Sequence, residues 1–198
     1  MIDQSLLKRL IPKRLKWRIK RSIINLWESS QYALVQRDRI QIEKGNIHSL
    51  LFVCKGNVCR SPFAEYYLKS RIDRRAIRID SCGIDVNQGG SPPDDAVRAA
   101  LGYGIDLQQS VSKSIKNIDI SAFNAILVFD MSTLSLILRD YPQVAHKAFL
   151  LRKLSTVPQN MFCNIDDPYG QGLKEFKRCY ENIIQAVDSL VCRVGIII

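Results

Sequence analysis

A short apolar run that ends in a cysteine, and is followed almost at once by a helix-start signal, limits most strongly how this chain can fold. Residues 49–54 read SLLFVC, which is typical of a strand buried on both faces of a parallel sheet. Ser61 is a favourable helix N-cap and Pro62 a favourable first helical residue, so a helix is predicted from Pro62 to about Arg71. The loop between them therefore lies at the carboxyl end of a buried strand, where open α/β sheets bind ligands.

The rest of the chain continues this alternation of strands and helices. Further strands are predicted at 77–82, 125–129 and 148–151, and further helices at 94–103, 132–139 and 173 to about 194. Such alternation is typical of a parallel sheet covered by helices. The sequence therefore predicts an α/β fold, an open four-stranded parallel sheet flanked by helices over residues 46–198, with a helical extension over residues 1–45.

The loop after the first strand has the residue types that hold a tetrahedral anion. Five residues separate Cys54 from Arg60, a length that can curl around a phosphate group with its backbone N–H groups pointing inward. Gly56 permits the tight curl, and Asn57 tolerates a left-handed backbone. Arg60 offers a planar fork for two phosphate oxygens, and Ser61 can donate to the Cys54 sulfur. Such donors stabilise a thiolate, so Cys54 is expected to be ionised and nucleophilic at neutral pH.

The same loop resembles a known family. Residues 53–65 read VCKGNVCRSPFAE, which is similar to the phosphate-loop signature of the low-molecular-weight protein-tyrosine phosphatases. The resemblance covers residues 48–194 and includes Ser-Cys-Gly-Ile at 81–84, Pro-Asp at 93–94, Gly-Ile-Asp-Leu at 104–107, Val-Phe-Asp at 128–130 and Asp-Pro-Tyr-Gly at 167–170. It implies the family's fold and the hydrolysis of phosphotyrosine in proteins, with no cofactor. Two departures are Lys55, where the family usually has an uncharged residue, and Ser-Val-Ser at 110–112, which replaces a Ser-x-His-Arg-type stretch.

The resemblance also implies how the reaction proceeds. Cys54 is the implied nucleophile, Arg60 stabilises the phosphoryl oxygens, and Asp167 acts as general acid and then as general base. Asp166 is the obvious competitor for this role, and Asp167 is preferred because the family places the acid directly before proline. Tyr169 is implied to form a wall of the substrate cleft, against the alternative of simple loop packing.

The remaining loop residues are implied to bind the phosphoryl group. They are Lys55, Gly56, Asn57, Val58, Cys59 and Ser61. Cys59 has a second implied role, as the partner of Cys54 in a reversible disulfide that spares the nucleophile from further oxidation. The alternative for Cys59 is a small buried thiol without a redox function.

Three other functions compete with tyrosine phosphatase. A thioredoxin-coupled arsenate reductase needs two further cysteines near the loop; Cys82 is one candidate by position, but residues 107–146 contain no cysteine. Protein-arginine phosphatases on the same fold tend to have Thr where this chain has Val58. A module that only binds phosphotyrosine would not need the nucleophile, the arginine and the acid to be intact together.

The positive charge of the chain is concentrated near its N-terminus. The formal net charge is +10, and residues 1–45 hold 11 Lys and Arg against 4 Asp and Glu. From Ile11 to Trp27, apolar residues recur at near-helical spacing with Lys and Arg between them, which predicts a basic amphipathic helix. Residues 11–27 are expected either to lie on an anionic membrane or to pack on their own domain or a partner protein. No nucleic-acid reader motif accompanies the charge, so nucleic acid is not expected as a partner.

The division of the chain also predicts how its parts are used. All catalytic motifs lie beyond Leu50, so residues 1–45 are predicted to be dispensable for hydrolysis and to control where the protein works. The resemblance implies a phosphotyrosine protein as substrate and, in bacteria, a tyrosine kinase or a polysaccharide-synthesis enzyme.

The cysteine and histidine content bears on compartment and metal. A chain of this size can bury a core without pairing its six cysteines, and no signal peptide or membrane-length apolar segment is seen. A cytoplasmic location is therefore predicted, peripheral on the inner face of the membrane if the basic helix binds lipid. The sequence has two histidines and no Cys-x-x-Cys pair, so no metal site is expected.

Overall fold

The helices and strands follow the predicted alternation. The computed structural model describes residues 13–35, 47–72, 77–86 and 89–194, and in the first helix the side chains of residues 19–33. The strands are β1 (Ser49–Cys54), β2 (Arg78–Gly83), β3 (Ala125–Val128) and β4 (Ala148–Leu150). The helices are α1 (Lys13–Val35), α2 (Arg60–Arg71), α3 (Asp94–Leu101), α4 (Met131–Asp140) and α5 (Leu173–Val194). Short 3₁₀ turns lie at Ile115–Asn117, Ile120–Ala122, Pro142–Lys147, Leu151–Leu154 and Gln159–Met161.

Two sequence expectations lie outside the described residues. These are the start of the first helix at Ile11 and the domain boundary near residues 45–46. None of the described helices combines the length and the apolar character that crossing a bilayer requires.

The strands form one parallel sheet in the order β2-β1-β3-β4. The predicted open four-stranded parallel sheet is therefore confirmed, with helices packed on its faces. β1 lies between β2 and β3, and its Val53 is in register with Cys82 on one side and with Val128 on the other. The loop after β1 consequently lies beside the ends of both neighbouring strands, where residues distant in sequence can reach it.

Alternating side chains of β1 build a core on each face of the sheet. Leu50 and Phe52 point into the core formed with α2, α3 and α5. Leu51 and Val53 point into the core on the opposite face, which includes side chains of α4 and Tyr32 of α1. These four residues of β1 are fully buried, so β1 has no solvent-facing side and its position in the domain is fixed.

Helix α2 begins at Arg60 rather than at Pro62, and the prediction that Ser61 caps it is wrong. Cys59 occupies the N-cap position without a side-chain hydrogen bond to the helix. Ser61 lies in the first turn, with its hydroxyl 3.0 Å from the Cys54 sulfur. The curl of the loop brings the chain into helical geometry before Pro62, and this turns the hydroxyl toward the loop.

Helix α1 packs on the sheet domain through its polar side. Asn25, Ser29 and Tyr32 are buried, whereas Ile23 is 62% and Trp27 64% exposed. The interpretation in which the apolar stripe covers its own domain is therefore wrong for these side chains. The reason is that the surface beneath α1 presents backbone N–H groups, and amide and hydroxyl oxygens of the helix accept from them.

Gly83, the last residue of β2, lies against the backbone of the loop after β1. A Cβ atom there would lie 2.8 Å from the Lys55 carbonyl oxygen and 2.9 Å from the Asn57 nitrogen. We predict that Gly83→Ala lowers the free energy of unfolding by about 1–3 kcal/mol, because the backbone must shift to relieve the overlap. Urea denaturation measures the loss. Gly89→Ala is the control, since a Cβ at Gly89 meets nothing closer than 3.4 Å; equal losses in both variants would contradict the prediction.

Candidate active site

The loop of residues 55–59 curls so that hydrogen-bonding groups surround the Cys54 sulfur. The Asn57 N–H donates to the sulfur at 3.2 Å, and the Ser61 hydroxyl lies 3.0 Å from it. Asn57 is left-handed, with φ 51°, a conformation that asparagine tolerates. Gly56 lies outside the left-handed region, and a Cβ there would make only an ordinary 3.7 Å contact. The tight curl therefore depends on the left-handed Asn57. The predicted role of Gly56 in permitting the curl is not required by its conformation or its surroundings.

A buried polar network supports the loop from below. The Asn57 amide donates to the Ser61 hydroxyl at 2.8 Å and to the Ser81 hydroxyl at 2.9 Å, and its oxygen accepts from the Lys113 N–H at 2.7 Å. Ser81 in turn donates to Glu65 at 2.5 Å. The left-handed turn is thus fixed by groups from β2, α2 and the segment before residue 114. Sequence reasoning missed Glu65, Ser81 and Lys113 as members of the site; the available signal was the presence of Ser81 in a buried strand.

Arg60 joins the loop to two carboxylates from other parts of the chain. Its side chain is 3% exposed, and it donates to Asp130 at 2.6 Å, to Asp167 at 2.8 Å and to the Ile165 carbonyl at 3.2 Å. Burial alone would lower the pKa of Arg60, but the negative charges of Cys54 and of the two carboxylates raise it above its ordinary value. The guanidinium is therefore held charged beside the Cys54 sulfur.

Asp130 is a further site residue that sequence reasoning missed. It was expected only as a family landmark, yet it holds Arg60 and also caps α4 by accepting from the Thr133 N–H. Burial raises the pKa of Asp130, but the charge of Arg60 and hydrogen bonds from Ser132 and Thr133 bring it below its usual range. The signal in the sequence was a carboxylate within two residues of the end of a buried strand.

The two neighbouring carboxylates Asp166 and Asp167 have different partners. Asp167 accepts from Arg60 and lines the cleft beside Cys54. Asp166 accepts from both Nε and Nη2 of Arg21 on α1, at 2.9 and 2.7 Å. The hydrogen bond to Asp166 raises the pKa of the Arg21 guanidinium above its ordinary value. Asp167 is therefore the carboxylate available to a molecule in the cleft.

The cleft above the loop has a volume of about 460 Å³. Cys54, Cys59 and Arg60 contribute to its buried part, and Lys55 is exposed at its edge. Tyr169, 64% exposed, stands at the mouth. All the predicted site residues line it except Asn57 and Ser61, which are buried. Across the described part of the chain, no cluster of three or more His, Cys, Asp or Glu side chains could hold a metal ion.

Comparison with known proteins places the chain in a family. Residues 49–195 match the sequence model of the family described as low molecular weight phosphotyrosine protein phosphatase. The chain belongs to this family. The low molecular weight phosphotyrosine protein phosphatase of Gallus gallus is 30% identical over 152 residues, which cover 74% of this chain and 96% of that protein. The match begins at the first residue of β1, so α1 lies outside the part that the family model describes.

Solved structures share the fold. The crystal structure of the Erwinia amylovora tyrosine phosphatase AmsI matches with a TM-score of 0.66 at 29% identity, covering 74% of this chain and 92% of that chain. The arginine phosphatase YwlE from Geobacillus stearothermophilus matches with a TM-score of 0.67 at 22% identity, covering 75% of this chain and 93% of that chain. At that identity, the likeness to YwlE shows a common fold only.

The cysteines of this low molecular weight phosphatase differ sharply in surroundings. All six lie among the described residues and are free thiols. Burial, and then the negative charges of Asp167 and Cys54, raise the pKa of Cys59 above its ordinary value. Burial likewise raises the pKa of Cys82 and Cys179, which favours the neutral thiol. The Cys54 sulfur accepts a hydrogen bond from the Asn57 N–H and faces the cleft.

Proposed function

We propose that this chain hydrolyses phosphotyrosine in proteins through a phosphocysteine intermediate on Cys54. The observation that carries the proposal is the arrangement of three groups around one cleft. The Cys54 sulfur lies among hydrogen-bonding groups of the loop, and Arg60 and Asp167, 2.8 Å apart, stand beside it. A nucleophile, an anion-binding cation and a proton donor are the groups that transfer of a phosphoryl group to cysteine requires.

The loop and the start of α2 supply the positive field for the phosphate group. Backbone N–H groups of a loop curled in this way, together with the N-terminus of a helix, favour a bound anion. The Nε atom of Arg60 is buried and has no hydrogen-bond partner within the described part of the chain. A phosphate oxygen would provide that partner, and a buried donor of this kind is costly to leave unpaired. The loop residues from Lys55 to Ser61 are therefore proposed to bind the phosphoryl group.

The reaction then has two steps. The Cys54 thiolate attacks phosphorus, the sulfur–phosphorus bond forms, and the bond from phosphorus to the tyrosine oxygen breaks while Asp167 gives that oxygen a proton. In the second step water attacks the phosphocysteine, Asp167 takes a proton from the water, and the sulfur leaves as thiolate. Inorganic phosphate is released. In both steps Arg60 and the loop N–H groups stabilise the oxygens of the transferring group.

The mouth of the cleft favours an aromatic phosphate ester. Tyr169 is exposed there and offers its ring face to the phenyl ring of a substrate. Lys55, exposed at the edge, is proposed to favour substrates with acidic residues near the phosphotyrosine. Val58 lines the cleft as an apolar, half-buried side chain, which favours phosphotyrosine over phosphoarginine.

The surroundings of the cysteines argue against arsenate reduction. That reaction needs a relay of two further thiols near the loop, and the candidate Cys82 is fully buried beneath it. Burial also raises the pKa of Cys82, so it is a poor nucleophile. A non-catalytic binding module is disfavoured because Cys54 and Asp167 both line the cleft with Arg60, and binding alone needs neither a nucleophile nor a proton donor.

We propose a cytoplasmic location and, as substrate, a phosphotyrosine protein such as a bacterial tyrosine kinase or a polysaccharide-synthesis enzyme. The likeness to the bacterial tyrosine phosphatase AmsI supports a bacterial context of this kind. An Asp167→Ala variant should retain bound substrate long enough for identification, because the first chemical step is slowed. The control is Cys54→Ser/Arg60→Ala, which removes the nucleophile and the side chain that binds the phosphate group. A protein that this control recovers equally well is not a substrate.

Two variants distinguish Asp167 from Asp166 as the general acid. We predict that Asp167→Asn lowers kcat/KM by roughly 10²–10⁴-fold with phenyl phosphate, and less with p-nitrophenyl phosphate, whose leaving group is weakly basic and needs less protonation. Asp166→Asn should lose far less activity. Steady-state kinetics with both substrates measure this, and Cys54→Ser, which should hydrolyse neither, is the control. A larger loss of kcat/KM in Asp166→Asn than in Asp167→Asn would assign the general acid to Asp166.

Cys59 is proposed to protect Cys54 against oxidation. Both sulfurs border the cleft, and a disulfide between them would stop the oxidation of Cys54 at a reversible stage. We predict that peroxide inactivates the enzyme reversibly and inactivates Cys59→Ser irreversibly. Recovery of activity after dithiothreitol measures this, with Cys179→Ser as control because Cys179 is equally buried but lies outside the cleft lining. Equal recovery of the wild type and Cys59→Ser would rule out protection.

The outer side of α1 is proposed to bind an anionic membrane. Its exposed apolar residues are Ile19, Ile23, Ile24, Leu26 and Trp27. Residues 1–45 also carry a net charge of +7, with 11 Lys and Arg against 4 Asp and Glu. An apolar face next to cations is typical of helices that lie at the surface of an anionic bilayer, where each cation contributes about 1 kcal/mol. This charge favours anionic lipid over a partner protein as the occupant of the face.

Vesicle co-sedimentation tests this surface. We predict that the full-length protein sediments with phosphatidylserine vesicles at low salt, that it stays in solution with phosphatidylcholine vesicles, and that added salt releases it. Ile23→Gln/Trp27→Gln should abolish sedimentation, since both side chains are exposed and their loss leaves the fold intact. Leu101→Gln, an exposed apolar position on α3, is the control. If the full-length protein does not sediment with anionic vesicles at low salt, the membrane proposal is wrong and a partner protein becomes the expected occupant of this face.

A further inference from the structure

The inner side of α1 is in contact with the segment that leads to Asp167. Arg21, Asn25 and Glu28 lie on one face of the helix, at positions separated by four and three residues. This face meets residues 163–166, immediately before Asp167. The family model begins at residue 49, so α1 lies outside the matched region, whereas residues 163–166 lie within it.

The contact is made of specific hydrogen bonds. The Asn25 side-chain oxygen accepts from the Asn164 N–H at 2.9 Å, and the Glu28 carboxylate accepts from the Asn164 amide at 2.6 Å. Arg21 donates two hydrogen bonds to Asp166, as described above. Asn25 is 7% and Asn164 9% exposed, so their hydrogen bond is shielded from water. The Arg21–Asp166 pair is about 43% exposed on each side and contributes less to stability.

The opposite side of the same segment faces the catalytic groups. The Ile165 N–H donates to the Phe129 carbonyl at 2.7 Å, and the Ile165 carbonyl accepts from Arg60 at 3.2 Å. The Met131 N–H donates to the Asn164 side chain at 2.9 Å. The segment is therefore held between α1 on its outer side and β3, α4 and Arg60 on its inner side. A change in the outer contacts would move the backbone that carries Asp167.

We propose that α1 positions the general acid, with Asn25 and Arg21 as positioning residues that act through Asn164 and Asp166. The inference rests on the proposed role of Asp167 and goes beyond it, because it assigns part of the catalytic geometry to the N-terminal helix. It replaces the expectation that residues 1–45 are dispensable for hydrolysis. The physical reason is that proton transfer needs the acid within hydrogen-bond reach of the leaving oxygen, and small displacements are costly.

The test uses the dependence on leaving group, which a merely structural role would not change. Asn25→Ala in the full-length protein should lower kcat/KM with phenyl phosphate on the order of 10-fold, and lower it several-fold less with p-nitrophenyl phosphate. Partial unfolding would reduce both values equally. Gln31→Ala removes an exposed amide from the same helix and should change neither value.

A second variant keeps the inference falsifiable if Asn25→Ala folds poorly. Arg21→Ala removes a half-exposed ion pair, so folding should be retained, and the same leaving-group dependence is expected at smaller size. Its effect should become smaller in an Asp166→Ala background, because part of it passes through this ion pair. Equal losses with both substrates, or no loss in either variant, would overturn the inference. Failure of the wild-type chain to hydrolyse any aryl phosphate would instead overturn the proposed function, and this inference with it.

Discussion

The buried guanidinium of Arg60 is the interaction on which the rest of the site depends. A charge taken out of water is costly, and it is tolerated here because Asp130, Asp167 and the Ile165 carbonyl all accept from it. Those acceptors come from the end of β3 and from the segment before α5. One side chain thus ties together the loop after β1, the central strands and the segment that carries Asp167. The spacing of Cys54, the proposed nucleophile, and Asp167, the proposed acid, therefore follows from how Arg60 is held.

The phosphate loop shows the same dependence on distant partners. Asn57 can adopt its left-handed conformation at modest cost, but that conformation alone does not fix the direction of the loop N–H groups. The direction is fixed because the Asn57 amide is hydrogen-bonded on both sides, to Ser81 and to the Lys113 backbone. A buried polar network of this kind holds one arrangement when every member has a partner. The close approach of Gly83 to the loop backbone adds a steric limit to the same arrangement.

Helix α1 has two faces of different character, and each is suited to a different contact. Its inner face is polar and packs on the segment before Asp167, while Ile23 and Trp27 on the outer face are exposed. A surface that presents unpaired backbone N–H groups selects acceptor side chains, so the polar face docks even though the apolar face has more to gain from burial in general. With the membrane contact proposed for its outer face, a helix held in this way would bring the cleft to a membrane, while the proposed role of its inner face is to position Asp167.

The sequence by itself determined the order of strands and helices and the strand-loop-helix around Cys54, because these depend on local periodicity and on the preferences of single residues. The predicted helix and strand bounds outside α1 agree with the structure to within two residues. The tertiary structure decided the partners: Asp130 for Arg60, Ser81 for Asn57, and Arg21 for Asp166. It also turned the apolar side of α1 outward. These contacts join residues far apart in the chain, and no local pattern reports which polar group will meet an unpaired donor once the strands have packed.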